Sequence, residues 1–175
     1  MMTEKGFIHV YTGNGKGKST AAFGLALRAA GAGMRVYIGQ FMKTGDYHEI
    51  RAFREYLPMI SLEQYGNGCL IGKEGPSETD YSAAREGLDK ACSALCRDRF
   101  DIVIFDEIIV AAHLGLIREQ DILDLIEAKP HAVELILTGR YAMQSVMEQA
   151  DLVTEMSEVK HYYNKGVLAR DGIER

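Results

Sequence analysis

Residues 7–20 of the chain read FIHVYTGNGKGKST, and this stretch decides the fold. A short run of β-branched and aromatic residues comes first, glycines follow at positions 13, 15 and 17, and an alanine-rich segment comes next. This order is typical of a strand, a phosphate-binding loop and a helix. The glycines let backbone N–H groups converge on an anion, and the positive end of the helix dipole points to the same place. We therefore predict that the loop holds a triphosphate.

The loop follows the P-loop pattern G-x-x-x-x-G-K-[ST] with one departure. Lys18 is placed to reach the phosphates as a point charge, and the Ser19 hydroxyl is placed to bind Mg²⁺. Thr12 occupies the position of the first glycine of the pattern. We expect Gly13 to supply the conformational freedom that is needed, one residue later.

The length of 175 residues suffices for a single domain over residues 1–175, with a central sheet and helices on both of its faces. Hydrophobic residues make up 47% of the chain and charged residues 26%, which is typical of a soluble globular protein. The net charge of -5 and the absence of a Lys/Arg run argue against general nucleic-acid binding, because that function needs a basic surface.

The three cysteines make no disulfide framework, so they indicate a reducing compartment. Cys92 and Cys96 fall on a predicted helix, where we expect them to pack in the core. The N-terminus lacks the long apolar segment of a signal peptide, and no apolar run approaches the length of a membrane span. We therefore predict a cytoplasmic location and no membrane partner.

A second motif lies at residues 101–107, which read DIVIFDE. Four consecutive apolar residues followed by two acids are typical of a buried parallel strand that ends in carboxylates at the sheet edge. Beside a P-loop this is a Walker B pattern. Asp106 or Glu107 would bind Mg²⁺ directly or through water, and one of these acids could instead orient a nucleophile.

Two cationic side chains follow predicted strands, at the sheet edge where open α/β sheets bind ligands. Lys43 follows the strand predicted at residues 34–41, and a contact with phosphate or substrate competes there with a solvated loop position. Arg140 follows the strand predicted at residues 132–137, and neutralisation of phosphate charge competes there with a surface position at the start of a helix.

The rest of the chain is predicted from its hydrophobic periodicity. Helices are expected at residues 18–31, 48–56, 80–99, 108–116, 118–129 and 142–149, and further strands at 59–65 and 152–156. His113 lies in an apolar helix, where a lone histidine is usually a core residue, and it receives no role. Residues 66–78 form a long loop of the kind that is often functional, in which Cys69, Leu70 and Ile71 either pack beneath the loop, which is favoured, or face an apolar ligand. The tail at residues 159–175 is a lid, a dimer arm or an edge strand.

Together these elements predict an α/β fold, namely a three-layer, RecA-like P-loop NTPase domain with a mostly parallel central sheet. The guanine-specific motif N-K-x-D is absent from the sequence. Because P-loop domains host many functions, the residues alone predict no more than a small enzyme that uses Mg-ATP.

Several blocks of sequence extend this prediction, and together they span almost the whole chain. They are residues 11–20 (YTGNGKGKST), 39–43 (GQFMK), 105–107 (FDE), 137–140 (LTGR), 150–156 (ADLVTEM), and 159–161 (VKH) through 172–174 (GIE). In this order and spacing they resemble the P-loop type of ATP:corrinoid adenosyltransferase, also called cob(I)alamin adenosyltransferase. The resemblance implies transfer of the 5′-deoxyadenosyl group of ATP to cobalt(I) of a reduced corrinoid, cobalamin or cobinamide, with release of triphosphate.

The same resemblance implies the roles of individual residues. Lys18 and Glu107 would be catalytic, with Lys18 stabilising charge on the leaving triphosphate, and Ser19, Asp106 and Glu107 would serve Mg²⁺. The residues that bind ATP would be Gly13, Asn14, Gly15, Lys16, Gly17, Lys18, Ser19, Thr20, Lys43 and Arg140. Family members bind ATP with its phosphates reversed relative to other P-loop proteins, so C5′ is presented for reaction. A homodimer and a flavoprotein or flavin electron donor are also implied.

The chain departs from better-studied relatives in two places. Those proteins carry an N-terminal extension that helps to cover the active site, and some of them place aromatic residues after the third strand, where this chain has Cys69, Leu70 and Ile71. Two other functions compete with adenosyl transfer. An ordinary P-loop ATPase or phosphotransferase would release ADP, and a nucleotide-gated corrinoid-binding protein would release no product.

Overall fold

The computed structural model describes residues 5–67, 75–97 and 99–174. Its strands are β1 Ile8–Thr12, β2 Val36–Phe41, β3 Ile60–Tyr65, β4 Ile102–Asp106, β5 Glu134–Thr138 and β6 Leu152–Glu155. Its α-helices are α1 Lys18–Gly31, α2 His48–Tyr56, α3 Glu78–Cys96, α4 Ile108–His113, α5 Glu119–Glu127 and α6 Gln144–Gln149, and a 3₁₀ helix spans Tyr162–Lys165.

The six strands form one sheet in the order β3-β2-β4-β5-β1-β6, and every neighbouring pair is parallel. The predicted α/β class with a mostly parallel sheet is thus confirmed, and within the described residues the sheet is entirely parallel. Because parallel strands carry their carboxyl ends to the same edge, the loops after β1, β2, β4 and β5 meet there. These four strands are neighbours in the sheet, so the two predicted motifs and the two predicted cations lie side by side.

Hydrophobic side chains alternate between the two faces of the sheet and build two cores. On β4, Val103 and Phe105 belong to the core beneath α3, α4, α5 and α6, whereas Ile102 and Ile104 belong to the core beneath α1 and α2. Alternation of this kind is expected of strands that are covered on both faces. The three-layer arrangement therefore follows directly from the apolar runs in the sequence.

Some predicted details are wrong. Cys92 and Cys96 are exposed rather than packed in the core, because α3 buries the neighbouring positions Ala91 and Leu95. Helix α3 begins at Glu78, two residues earlier than predicted, since Ser77 caps it and accepts a hydrogen bond from the backbone N–H of Asp80.

Helix α4 ends at His113, three residues earlier than predicted, and Gly115 follows it with a φ of 74°. His113 is exposed and stacks on Tyr141 with ring centroids 4.2 Å apart, so the predicted core position is wrong. Among the helices that the structure describes, none combines the length and the apolar character needed to cross a lipid bilayer.

Candidate active site

A cleft of about 880 Å³ opens at the carboxyl edge of the sheet. The P-loop, Lys43, Glu107 and Arg140 line one side of it. Helices α1 and α2 contribute an apolar wall, whose residues are Phe23, Leu27, Ala52, Phe53, Tyr56 and Leu57. The cleft thus joins a cationic end at the P-loop to an apolar end.

The P-loop takes its shape from two glycines and from the chain that follows β6. Gly13 has a φ of 92° and Gly17 a φ of 118°, which are values that glycine adopts without strain. A Cβ atom at Gly13 would lie 2.5 Å from the carbonyl oxygen of Met156, and the Gly15 N–H donates to that same oxygen at 2.7 Å. Gly13 therefore supplies the freedom that the pattern normally draws from its first glycine, as the sequence predicted.

Thr12 fits the position of that missing glycine because it is still part of β1. Its side chain is buried, and its hydroxyl oxygen accepts a hydrogen bond from the Ala142 N–H at 3.3 Å. Thr12, the residue that departs from the P-loop pattern, therefore links the start of the loop to the segment after β5.

Lys18 lies inside the loop. Its ammonium donates to the carbonyl oxygens of Gly13 and Gly15, both at 2.8 Å, and the residue is only 6% exposed. Burial lowers the pKa of Lys18, and the nearby acids Glu107 and Asp106 partly oppose that shift. The side chain is thus held at the place where the loop would surround an anion.

Asp106 is fully buried at the end of β4, and every bond to it comes from another strand or loop. Oδ1 accepts from the Thr138 hydroxyl at 2.6 Å, and Oδ2 accepts from the Gln40 amide at 3.0 Å and from the Lys43 ammonium at 3.1 Å. Burial acts to raise the pKa of Asp106, but the Lys43 charge and the hydrogen bonds from Thr138 and Gln40 bring it below the usual aspartate value. Asp106 is therefore an ionised and fixed carboxylate.

Glu107 is the N-cap residue of α4 and lies in the left-handed region, with a φ of 61°. Its backbone N–H donates to the Thr138 hydroxyl at 3.0 Å, and its side chain faces the cleft. Burial and the neighbouring Asp106 charge raise the pKa of Glu107. The Thr138 hydroxyl therefore bonds to the carboxylate of Asp106 and to the backbone N–H of Glu107.

Two further non-glycine residues at this edge have positive φ values. They are Met42 after β2, with 60°, and Tyr141 after β5, with 65°. Together with Glu107 they mark the ends of three strands that meet at the cleft. Conformations of this kind carry strain and collect at functional sites.

Lys43 bridges the two motifs. Its ammonium lies 3.1 Å from Asp106 Oδ2 and 3.4 Å from Ser19 Oγ, and its side chain is 28% exposed. Burial acts to lower the pKa of Lys43, but Asp106 and Glu107 raise it above the usual lysine value. The alternative of a solvated loop lysine is therefore wrong. Asp106, Glu107 and their partners Gln40, Lys43 and Thr138 are called the acid centre below.

Gln40 and Thr138 were not singled out from the sequence, although a signal was present. Both are polar residues within or at the end of an apolar strand, and both are fully buried. A buried polar side chain needs a partner, and at this edge of the sheet Asp106 is a partner of both.

The C-terminal tail, which we define as residues 159–174, forms the remaining wall of the cleft. Lys16 of the P-loop donates to the carbonyl oxygen of Ile173 at 3.0 Å, to Glu174 at 3.1 Å and to the Tyr162 hydroxyl at 3.4 Å. His161, Gly172, Ile173 and Glu174 line the cleft. The tail therefore occupies the position of a lid. It is not the edge strand, because β6 forms that edge of the sheet.

The remaining predicted residues occupy the expected region. Asn14, Gly15, Lys16, Gly17, Ser19, Thr20 and Arg140 line the cleft. Residues 68–74 lie outside the described part of the chain, so the prediction for Cys69, Leu70 and Ile71 has no structural counterpart here.

The donor set fits a magnesium ion. Ser19, Asp106 and Glu107 offer the hard oxygen atoms that Mg²⁺ prefers, and Ser19 Oγ and Asp106 Oδ2 already share one cationic neighbour, the Lys43 ammonium. Among the described residues no group of three or more His, Cys, Asp or Glu side chains could hold a metal. A magnesium ion here would therefore need phosphate or water oxygens to complete its ligands.

Comparison with known proteins gives a consistent result. Residues 4–175 match the family model described as ATP:corrinoid adenosyltransferase BtuR/CobO/CobP. The chain is 35% identical to the corrinoid adenosyltransferase of Pseudomonas aeruginosa, over 98% of this chain and 84% of that protein. It is 34% identical to the corrinoid adenosyltransferase of Escherichia coli and 33% identical to the corrinoid adenosyltransferase CobA of Salmonella typhimurium, in each case over 98% of this chain and 86% of the relative.

A solved structure supports the fold. The crystal structure of the RadB recombinase superposes with a TM-score of 0.54 at 12% sequence identity, and the match covers 92% of this chain and 85% of that one. At this identity the likeness concerns the fold alone. The family model and the relatives lead to one conclusion: the chain belongs to the ATP:corrinoid adenosyltransferase family BtuR/CobO/CobP and is an enzyme of that class.

Proposed function

We propose that the P-loop grips the triphosphate of ATP so that the ribose C5′ carbon, rather than the terminal phosphorus, faces the attacking cobalt(I) of a reduced corrinoid. A Co–C5′ bond forms with the electron pair of cobalt, which passes formally from +1 to +3. The C5′–O bond breaks at the same carbon, and the triphosphate leaves with that electron pair. The observation that carries this proposal is a cleft in which a cationic end at the P-loop meets an apolar wall.

The reaction needs positioning and charge stabilisation rather than a general base, because the metal centre of the substrate is itself the nucleophile. The geometry of the acid centre agrees with this requirement. Asp106 has no exposed surface, and both of its oxygens are already hydrogen-bonded, so it is poorly placed to accept a substrate proton.

We assign the loop from Gly13 to Thr20 to the triphosphate, with Lys18 as the catalytic cation. Burial of Lys18 supports this role, since a charge in a partly desolvated site acts more strongly on a leaving group than it would in water. Lys43 and Arg140 face the same cleft and would add positive charge toward the phosphates.

We assign Ser19 and Asp106 to the coordination of Mg²⁺, with Glu107 as the catalytic carboxylate beside it, acting directly or through water. When bound, Mg²⁺ would neutralise charge on the polyphosphate. The role of the chain is to fix the oxygen donors. Thr138 does so directly for the Asp106 carboxylate, and it fixes the backbone of Glu107 through the same hydroxyl.

We also propose a single domain, a homodimer, a cytoplasmic location and a flavin or flavoprotein as electron donor. The single domain is supported by the two cores that share one sheet. The homodimer is supported by β6, an edge strand on which Leu152 and Val153 are each more than 40% exposed, since such edges are usually covered. Reduction of cobalt to the +1 state requires an external electron donor, and a reduced flavin could fill that role.

The direct test mixes purified protein with Mg-ATP and chemically reduced cobalamin. We expect the spectrum of cobalt(I) to give way to that of a light-sensitive alkylcobalamin, with one triphosphate released for each adenosyl group transferred. Accumulation of ADP or orthophosphate with an unchanged cobalt spectrum would instead identify an ordinary ATPase or phosphotransferase. Binding of both ligands with no product over hours would identify a corrinoid-binding protein.

A further inference from the structure

We propose that Lys43 is the resident cation of the metal subsite in the nucleotide-free protein, and that a divalent ion enters only by displacing the Lys43 ammonium toward the polyphosphate. This inference rests on the proposed function, because it concerns the oxygen atoms assigned above to Mg²⁺. It goes further by stating that free metal is excluded and that metal and nucleotide arrive together.

The first step is that the Lys43 ammonium occupies the place that a metal ion would need. The Lys43 ammonium donates to Asp106 Oδ2 at 3.1 Å and to Ser19 Oγ at 3.4 Å, and these are the two oxygens assigned to the metal. Mg²⁺ binds oxygen at about 2.1 Å and repels a neighbouring positive charge. The ammonium and a divalent ion therefore cannot occupy the space between these oxygens together.

The second step concerns which group can move. The Asp106 carboxylate is fixed, because Thr138 donates a hydrogen bond to Oδ1 and Gln40 donates one to Oδ2. Asp106 is also fully buried. It cannot rotate to offer another oxygen without breaking these bonds. Lys43 lies on a loop at the mouth of the cleft, and its side chain is partly exposed. Lys43 is therefore the residue whose side chain moves when the metal binds.

The third step concerns charge. A buried carboxylate without a cation is strongly destabilising, so Asp106 needs a positive partner both before and after the nucleotide binds. Exchange of an ammonium for a divalent ion keeps that requirement satisfied. The displaced Lys43 meets the negative phosphates in the same cleft, beside the P-loop. Binding of the metal–nucleotide complex thus supplies both partners at once.

The experiment measures binding of Mn²⁺ by electron paramagnetic resonance in the absence of nucleotide. We expect the wild-type protein to bind Mn²⁺ weakly until ATP is added. The Lys43→Met variant should bind a single Mn²⁺ without nucleotide, with a Kd lower by roughly tenfold, because the competing charge next to Asp106 is gone. The double variant Lys43→Met, Asp106→Asn should lose this gain.

Lys16→Met is the matched control. It removes one positive charge from the same cleft, but Lys16 bonds to the tail and not to Asp106. If a general reduction of positive charge were enough to attract Mn²⁺, the two single variants would behave alike. We expect Lys16→Met to bind Mn²⁺ as weakly as the wild type does.

Folding is checked in parallel, because removal of Lys43 leaves Asp106 unpaired. Lys43→Gln keeps a hydrogen-bond donor without the charge, and it should show the same gain in Mn²⁺ affinity if Lys43→Met does not fold. Mn²⁺ should also raise the melting temperature of either variant more than that of the wild type.

Equal Mn²⁺ affinity in the wild type and the Lys43 variants, or no binding in any of them, would overturn the inference. None of these measurements uses a corrinoid or a turnover assay. If the variants bind Mn²⁺ as expected but the wild-type protein does not transfer adenosyl groups, only the proposed function is wrong. If the protein transfers adenosyl groups normally but Mn²⁺ affinity does not depend on Lys43, only the role given to Lys43 is wrong.

Discussion

The acid centre and the C-terminal tail face the same cleft, yet they are held in opposite ways. Asp106 is completely buried and bonded to three side chains from three other parts of the sheet edge. Glu174 of the tail bonds to Lys16 and Arg170, whose side chains are 43% and 52% exposed. The Asp106 carboxylate therefore resists movement, whereas the ion pairs of the tail exchange readily with water.

We interpret this difference as a separation of two functions within one site, namely charge stabilisation on the strands and substrate admission at the tail. Groups that stabilise charge must be in place before the reaction, so they belong on the rigid strands. Groups that admit and release a large substrate must move, so they belong on a segment with few buried contacts. The P-loop touches both regions, with Lys18 electrostatically coupled to the acid centre and Lys16 bonded to the tail.

The two loop lysines give the strongest test of this division. Lys18→Ala should lower kcat by about 10²–10³-fold, as expected for the loss of one preorganised cation, while the melting temperature changes little. Lys16→Ala should mainly alter KM, because it loosens the tail. Steady-state kinetics with reduced cobalamin and thermal melts measure both effects. A wild-type rate for Lys18→Ala would show that the rigid end of the cleft does not supply catalysis.

Thr138→Val is the next test and acts on the acid centre alone. The change preserves shape but leaves Asp106 Oδ1 and the Glu107 N–H without their shared partner, so the free energy of unfolding should fall by about 1–3 kcal/mol. Urea unfolding measures this loss in the free energy of unfolding. Thr154→Val on the exposed edge strand β6 is the matched control and should be close to neutral. Similar losses in both variants would mean that the acid centre is no more tightly held than the surface.

Glu174→Gln should act on the tail without affecting the sheet. Its carboxylate accepts hydrogen bonds from Lys16, Tyr162 and Arg170, and bonds from Arg170 and Tyr162 lower the pKa of Glu174. Loss of that charge should speed proteolytic cleavage within residues 159–174 and leave the urea midpoint unchanged. Limited proteolysis followed by mass spectrometry detects the change, and an equal cleavage rate in both proteins would argue that the tail is held by something other than these pairs.

Salt should produce the smallest effect of the series. Raising the ionic strength screens exposed pairs such as Lys16–Glu174 far more than the buried Lys43–Asp106 pair. We expect proteolysis of the tail to increase modestly with NaCl while the melting temperature of the domain stays nearly constant. If the melting temperature falls in parallel with the proteolysis, the tail and the sheet unfold as one unit.

The sequence predicted the fold and the place where the candidate site residues meet, because both depend on local patterns. Apolar runs identified the strands, and the parallel order then required that Lys18, Lys43, Asp106 and Arg140 meet at one edge. The partners of these residues were harder to predict. The hydrogen bond from Gln40 to Asp106 joins positions 66 residues apart, and the bond from Lys16 to Glu174 joins positions 158 apart.

Helix faces were the other source of error. A step of one residue turns the side chain by about 100°, so small uncertainties in phase exchange buried and exposed positions. Cys92 lies next to the buried Ala91 and yet faces water. His113 stands at the end of an apolar helix and stacks on Tyr141, a contact that no pattern along the chain indicates.

The left-handed residues Met42, Glu107 and Tyr141 have a practical consequence for protein engineering. A common route to heat resistance replaces such residues with glycine, which adopts positive φ without strain. At these three positions the gain would come with extra freedom in the loops that border the proposed active site. A thermostabilising programme for this enzyme should therefore begin at the opposite edge of the sheet, at exposed turns such as the one after α1, and leave these three residues as they are.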